Sequence, residues 1–276
     1  MADVLHPHVY VMDTVSLLRL AKAHNTLVSP DIKATATKGD PLKVIDLLSE
    51  GKHTLLIPHA CIKEALRGKE DIKYGIQHDA NGKWRLHLQK ASFKRPESKV
   101  FADYLEQKQQ SGKLRYMTLK AIKEEHILEQ SDSSHGIIIV ETESIAGIET
   151  DGKYPLGKGH NSEDAIKTMY SKIYNHFQSS GIRLPLVSPH IPLNKIVNEV
   201  SERYGRDSKH SSVFSLNAAV AGLMVAGALD AEEANTILKG LEPTKSTENL
   251  LESIKSTGMT RFAAAFSGQP PSAITR

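Results

Sequence analysis

Asp13, Glu64 and Asp164 lie far apart in the sequence, yet each falls where an apolar run gives way to a helix or where a helix begins. In an α/β fold such points converge at the carboxyl edge of the sheet. Three carboxylates meeting there would hold a hard divalent cation, and the chemistry expected of that set is metal-dependent phosphodiester cleavage. Neighbouring carboxylates repel one another unless a cation lies among them, so metal binding would relieve a strain that folding creates.

The chain must supply a frame able to bring those residues together. At 276 residues it can bury a sizeable core as one large domain or one domain with an addition. With 39% hydrophobic and 24% charged residues it reads as an ordinary globular protein, not a disordered one. A formal charge of +3 is too small to identify a nucleic-acid binder, so local charge has to decide. The single cysteine, Cys61, excludes an internal disulfide, and its apolar setting predicts an inert buried thiol. Asp3, His6, Pro7 and His8 interrupt any signal-like apolar run, and Ala218 to Leu229 is too short to span a bilayer. The expectation is a soluble cytoplasmic protein without a membrane partner.

Strand-like and helical patterns alternate along the chain. Val9 to Met12 is β-prone and ends at Asp13-Thr14, where a cap residue opens a helix with Val15, Leu18 and Ala21 on one face. Asp40-Pro41 opens a second helix, and Thr54 to Ile57 reads as a buried strand passing through Pro58 into a helix that carries Glu64. Tyr74 to Gln77 and Trp84 to Leu88 flank an Asn81-Gly82 turn and predict a β-hairpin. Glu97 to Gln110 reads as helix, and Leu114 to Leu119 as a third core strand. Gly136 to Glu141 is a further strand, expected to pair with residues 143–149 in an inserted hairpin outside the main sheet. A helix beginning at Glu163 and Asp164, with Ile166, Met169, Tyr170 and Ile173 inward, precedes a last core strand over Arg183 to Ser188. From Ser211 the pattern is purely helical. The expected architecture is a mainly parallel α/β sheet flanked by helices over residues 1–205, with insertions near 72–95 and 133–157. A C-terminal helical appendage over 211–267 and a tail over 268–276 complete it.

The motifs in this order resemble those of the PIN-domain ribonucleases. Val9-Tyr10-Val11-Met12-Asp13-Thr14 is similar to that family's first strand and metal-binding aspartate, and Leu56-Ile57-Pro58 through Glu64-Ala65-Leu66 to its second block. Leu114 to Leu119 is similar to the following strand, and Asn161-Ser162-Glu163-Asp164 to the third block. The resemblance implies an endoribonuclease using Mg²⁺ or Mn²⁺, with Asp13 as central ligand and Glu64 and Asp164 as direct or water-mediated ones. Glu163 is a further candidate ligand. Thr14 or Ser16 could orient a water or a phosphate oxygen, although capping is the plainer use of Thr14. Where the family often places another aspartate after the last strand, this chain has His190. Either Glu163 completes the site, or three acids suffice, or activity is reduced. The last case would leave a noncatalytic module that binds RNA or protein.

Lys83, Arg85, Lys90, Lys94, Arg95 and Lys99 surround Trp84 and Phe93, with Glu97 as the one acid of residues 83–99. Cations on phosphates and aromatics on unpaired bases favour single-stranded RNA, with DNA as an alternative. The plainer reading of this stretch is a solvated hairpin and helix. The small and apolar residues from Ala218 to Leu229, followed by an Asp230 cap and inward Ala234, Ile237 and Leu238, suit an internal helical cap or a homodimer or protein-partner surface. The histidines are scattered and form no zinc framework, and Gly157-Lys158-Gly159-His160 lacks P-loop spacing.

Overall fold

A computed structural model describes residues 8–27, 39–66, 74–78, 84–88, 95–126, 128, 135–141, 161–176, 184–189, 191–203, 213–242 and 258–268. Strand β1 (His8–Met12) leads into α1 (Thr14–Leu27), and α2 (Lys43–Leu47) precedes β2 (His53–Pro58), which passes into α3 (His59–Ala65). The pair β3 (Tyr74–His78) and β4 (Trp84–Leu88) is followed by α4 (Pro96–Gln110), β5 (Leu114–Thr118), α5 (Leu119–Glu124) and β6 (Gly136–Glu141). Next come α6 (Asn161–His176), β7 (Leu186–Val187), α7 (Ile191–Arg203) and β8 (Val213–Phe214). The helices α8 (Leu216–Val225), α9 (Ala231–Leu241) and α10 (Met259–Ser267) end the described chain.

Among the described residues the main sheet has six strands in the order β5-β6-β2-β1-β7-β8, and every neighbouring pair is parallel. The α/β reading from strand and helix alternation therefore holds. Parallel strands covered on both faces carry continuous apolar runs, and β2 and the Ile137–Val140 stretch of β6 are buried throughout. The β3–β4 hairpin forms as expected, antiparallel with His78 opposite Trp84.

The expected place of residues 136–141 is corrected. β6 lies inside the main sheet, between β2 and β5, with Leu55 opposite Ile137 and Tyr116 opposite Ile139. Four consecutive aliphatic residues have no polar face to show solvent, so an outlying hairpin would have left half of them uncovered. Entry into the strand depends on Gly136, whose φ is 69°. A Cβ there would stand 2.5 Å from the Lys113 carbonyl oxygen, a backbone atom that cannot give way.

The region from residue 211 is not purely helical either. Val213 and Phe214 pair with Leu186 and Val187 and extend the sheet by a strand too short to show a periodic pattern. The helices beyond it join the same hydrophobic core, which runs from Val9 to Phe262. Phe262 of α10 lies 5.9 Å from the Tyr10 ring of β1 and meets Phe214 edge-on at 5.0 Å. Gly222 of α8 makes that approach possible, since a Cβ on it would lie 2.7 Å from the Phe262 ring. Ala219, Val220 and Leu223 of α8 and Ala234, Ile237 and Leu238 of α9 are buried within the chain, which is the internal use of these faces.

In α1 the buried face is Leu17, Leu20 and Ala21, while Val15, expected inward, is 44% exposed. The first turn of this helix stands at the sheet's carboxyl edge, past the end of β1. No helix among the described residues is long and apolar enough to cross a membrane.

Candidate functional site

β1 ends at Met12, and Asp13 caps the helix that follows. Its Oδ1 accepts the Ser16 backbone N–H at 2.8 Å, and its carbonyl accepts the Leu17 N–H at 3.2 Å. The other carboxylate oxygen, Oδ2, accepts the Ser188 hydroxyl at 2.6 Å. Asp13 is only 4% exposed, and Ser188, just past β7, is equally buried. Ser188 is held in turn by its backbone N–H, which donates to the Phe214 carbonyl of β8 at 2.9 Å.

Beside Asp13, the Thr14 hydroxyl donates to Glu64 Oε2 at 2.9 Å. That bond ties the start of α1 to α3 and aims an otherwise solvent-exposed glutamate. Thr14 is thus a positioning residue for Glu64, and the cap is Asp13. Ser16 takes no part in the cleft, because its buried hydroxyl donates to the Val187 carbonyl at 3.0 Å.

Asp13, Thr14, Val15, Glu64, Ser162, Glu163 and Leu193 line one cleft of about 170 Å³. They come from the first turns of α1, α6 and α7 and from α3, all following the carboxyl ends of strands or opening helices beside them. Asp164 is exposed and does not line the cleft. Helix phase separates the two acids: Glu163 precedes buried Ile166 and Tyr170 by three and seven residues, whereas Asp164 precedes exposed Lys167. The expected trio therefore reaches the cleft as Asp13, Glu64 and Glu163. Among the described residues, no three His, Cys, Asp or Glu side chains stand close enough together to grip a metal ion directly.

Among the described residues the cleft lining carries carboxylates and hydroxyls, with Val15 and Leu193, but no Lys or Arg. Positive ends of the α1 and α6 backbone dipoles offset part of the carboxylate charge. Beneath the cleft, burial pushes the Cys61 thiol far up, and the Asp13 carboxylate, then Glu64, push it further. The thiol stays protonated and inert, as its apolar surroundings predicted.

Of the basic segment, Arg95 and Lys99 are exposed at the start of α4. Trp84 and Arg85 belong to β4, with side chains outside the described residues. Lys83, Lys90, Phe93, Lys94 and His190 also lie outside them. Sequence reasoning missed Ser188, whose signal is a small hydroxyl residue directly after the last core strand. It also ranked Asp164 above Glu163, although the spacing to Ile166 and Tyr170 favours the reverse. Compared with models of known families, with curated proteins and with solved structures, the chain matches none.

Proposed function

We propose that this protein is a divalent-metal-dependent nuclease of PIN-like kind that hydrolyses phosphodiester bonds in RNA. The observation that carries the reading is the convergence of Asp13 at the cap of α1, Glu64 of α3 and Glu163 of α6 on one cleft at the carboxyl edge of a parallel sheet.

The donor set fits Mg²⁺ or Mn²⁺, because it consists of oxygen ligands alone. Mg²⁺ is commonly held by one or two carboxylates and several waters, so a direct grip by three side chains is not required. Asp13, Glu64 and Glu163 would hold the ion. A bound ion supplies the Lewis acidity and charge neutralisation that attack on an anionic phosphodiester needs. The chain's own residues do the orienting: Ser188 and the Ser16 amide fix both oxygens of Asp13, and Thr14 directs Glu64.

A second reading, a noncatalytic RNA- or protein-binding module, is favoured by one detail. Both Asp13 oxygens already accept hydrogen bonds, as a purely structural cap would. Asp13→Asn separates the two readings, since asparagine still caps a helix but removes the charge. The nuclease reading expects loss of Mn²⁺ binding and of Mn²⁺-dependent RNA cleavage by the purified variant. Cleavage equal to the unsubstituted protein ends that reading.

A further inference from the structure

β7 brings Ser188 to the cleft with little backbone of its own. Its two residues pair with Val11 and Met12 of β1 on one side and with Val213 and Phe214 of β8 on the other. Few ladder hydrogen bonds fix so short a strand, so side chains packed across its neighbours must help to hold it.

Those side chains come from α10. Phe262, fully buried, lies 5.9 Å from Tyr10 of β1 and 5.0 Å from Phe214 of β8, and these two strands flank β7. Phe266, one turn on, stacks at 4.2 Å on His53, where β2 starts. The helix therefore lies across β2, β1 and β8 and clamps the strands on either side of β7. It is bounded by Gly258 and Gly268, with φ of 95° and 68°, so it begins and ends as a unit of its own.

A continuous line of contacts runs from this clamp to the acid. The Phe262 ring meets the Phe214 ring, the Phe214 carbonyl accepts the Ser188 N–H at 2.9 Å, and the Ser188 hydroxyl donates to Asp13 Oδ2 at 2.6 Å. When α10 lifts, β8 is free to slip on β7 and Ser188 loses the bond that aims its hydroxyl. A carboxylate without its orienting donor holds a metal ion less tightly.

We infer that α10 controls the cleft without lining it, with Phe262 as a positioning residue that acts through Phe214 and Ser188 on Asp13. Seating of this helix and cation binding at Asp13 are then coupled, each favouring the other. The inference rests on the metal reading for the cation, while the link between α10 and Ser188 is measurable without metal.

The test is calorimetric Mn²⁺ titration of the full chain, with hydrogen exchange of the α10 amides followed by mass spectrometry. Phe262→Leu is expected to weaken Mn²⁺ binding about fivefold, an ordinary coupling for a residue that does not touch the ligand. In a Ser188→Ala background the same substitution changes the affinity no further, because the line is already cut. Ile122→Ala truncates the core on α5, beside β5 at the other end of the sheet, and leaves Mn²⁺ affinity unchanged. By reciprocity, saturating Mn²⁺ slows exchange of the α10 amides about fivefold. Without metal, Ser188→Ala quickens that exchange by about the same factor and Ile122→Ala does not. These exchange measurements need no substitution in α10, so they decide the matter if Phe262→Leu does not fold.

Mn²⁺ affinity unchanged by Phe262→Leu, with binding still lost in Asp13→Asn, overturns the coupling and leaves the nuclease reading standing. Equal weakening by Phe262→Leu in the Ser188→Ala background, or by Ile122→Ala, shows general loosening and overturns it as well. If the unsubstituted protein binds no Mn²⁺, the nuclease reading fails and the metal-free exchange decides the rest. Amides of α10 quickened by Ser188→Ala then keep the link, and unmoved amides end it.

Discussion

The Ser188 hydroxyl reaches Asp13 Oδ2 at 2.6 Å, joining residues 175 positions apart in sequence. The bond links the carboxyl ends of the neighbouring strands β1 and β7. The chain leaves β1 toward β2 on one side and later returns to β7 on the other, so β1 and β7 flank the point where the winding reverses. Open parallel sheets form their ligand crevices at such points. Here the crevice wall is fastened by a charged hydrogen bond, a stronger kind than one between neutral groups.

Ser188→Ala is therefore expected to lower stability by about 1 to 3 kcal/mol, since a buried carboxylate oxygen loses its donor. It should also weaken Mn²⁺ binding by about tenfold, the effect of releasing a group that orients a ligand. Ser188→Thr, which keeps the hydroxyl, recovers most of both. Urea unfolding and calorimetric Mn²⁺ titration read the two effects separately.

Glu163 and Asp164 are adjacent in α6 but differ in what they face. Glu163→Gln should weaken Mn²⁺ binding by about tenfold or more. Asp164→Asn should change it by less than about twofold, because a solvated charge outside the cleft is screened. Equal effects in the two titrations would return Asp164 to the site.

His59, at the start of α3, sets a pH dependence. Burial, with a smaller push from Lys63, lowers its pKa from 6.5 to about 3. Between those values the unfolded chain binds a proton that the folded one does not, so stability is complete above pH 6.5 and falls as pH drops toward 3. The slope for this group is at most about 1.4 kcal/mol per pH unit. His59→Phe keeps an aromatic ring edge-on to Tyr116 and should flatten stability between about pH 5 and 6.5, above the carboxylate range. His135, lowered by burial and then by Arg115, acts in the same direction and remains in the variant. The difference between variant and unsubstituted protein therefore isolates His59. Denaturation midpoints across this range decide it.

Gly222 is required by Phe262. A methyl group at 222 would stand 2.7 Å from the ring, so Gly222→Ala should cost about 1 to 3 kcal/mol by overpacking. Phe262→Ala should cost about 3 to 5 kcal/mol, since the ring fills space against Tyr10 and Phe214. Thermal denaturation of both variants measures this. A melt unchanged by Phe262→Ala would show that the C-terminal helices do not share the core's stability.

The parts of this molecule legible from sequence are those with long, local signals. Apolar runs bounded by caps mark β1, β2, β5 and the start of α6, and Asn81-Gly82 marks the β3–β4 hairpin. Pairing is less legible, because nothing in Ile137–Val140 specifies which backbone its amides will meet. Its parallel bonds to β2 and β5 are non-local. β8 has two residues, too few for any period. At the site, Asp13 was recognisable as an acid at a strand-to-helix junction, and Glu64 as an acid on the helix that follows Pro58. The order of Glu163 over Asp164 lay in the helical phase of Ile166 and Tyr170. Ser188 was harder to find, since its meaning depends on β7 lying beside β1.

Synthesis of the chain gives the arrangement of β7 and β8 a temporal side. Asp13 emerges from the ribosome early, but Ser188 follows much later, and the Phe214 carbonyl that anchors Ser188 later still. A nascent polypeptide paused before Phe214 holds Asp13 without that anchored brace, so the pocket matures only when most of these residues have been made.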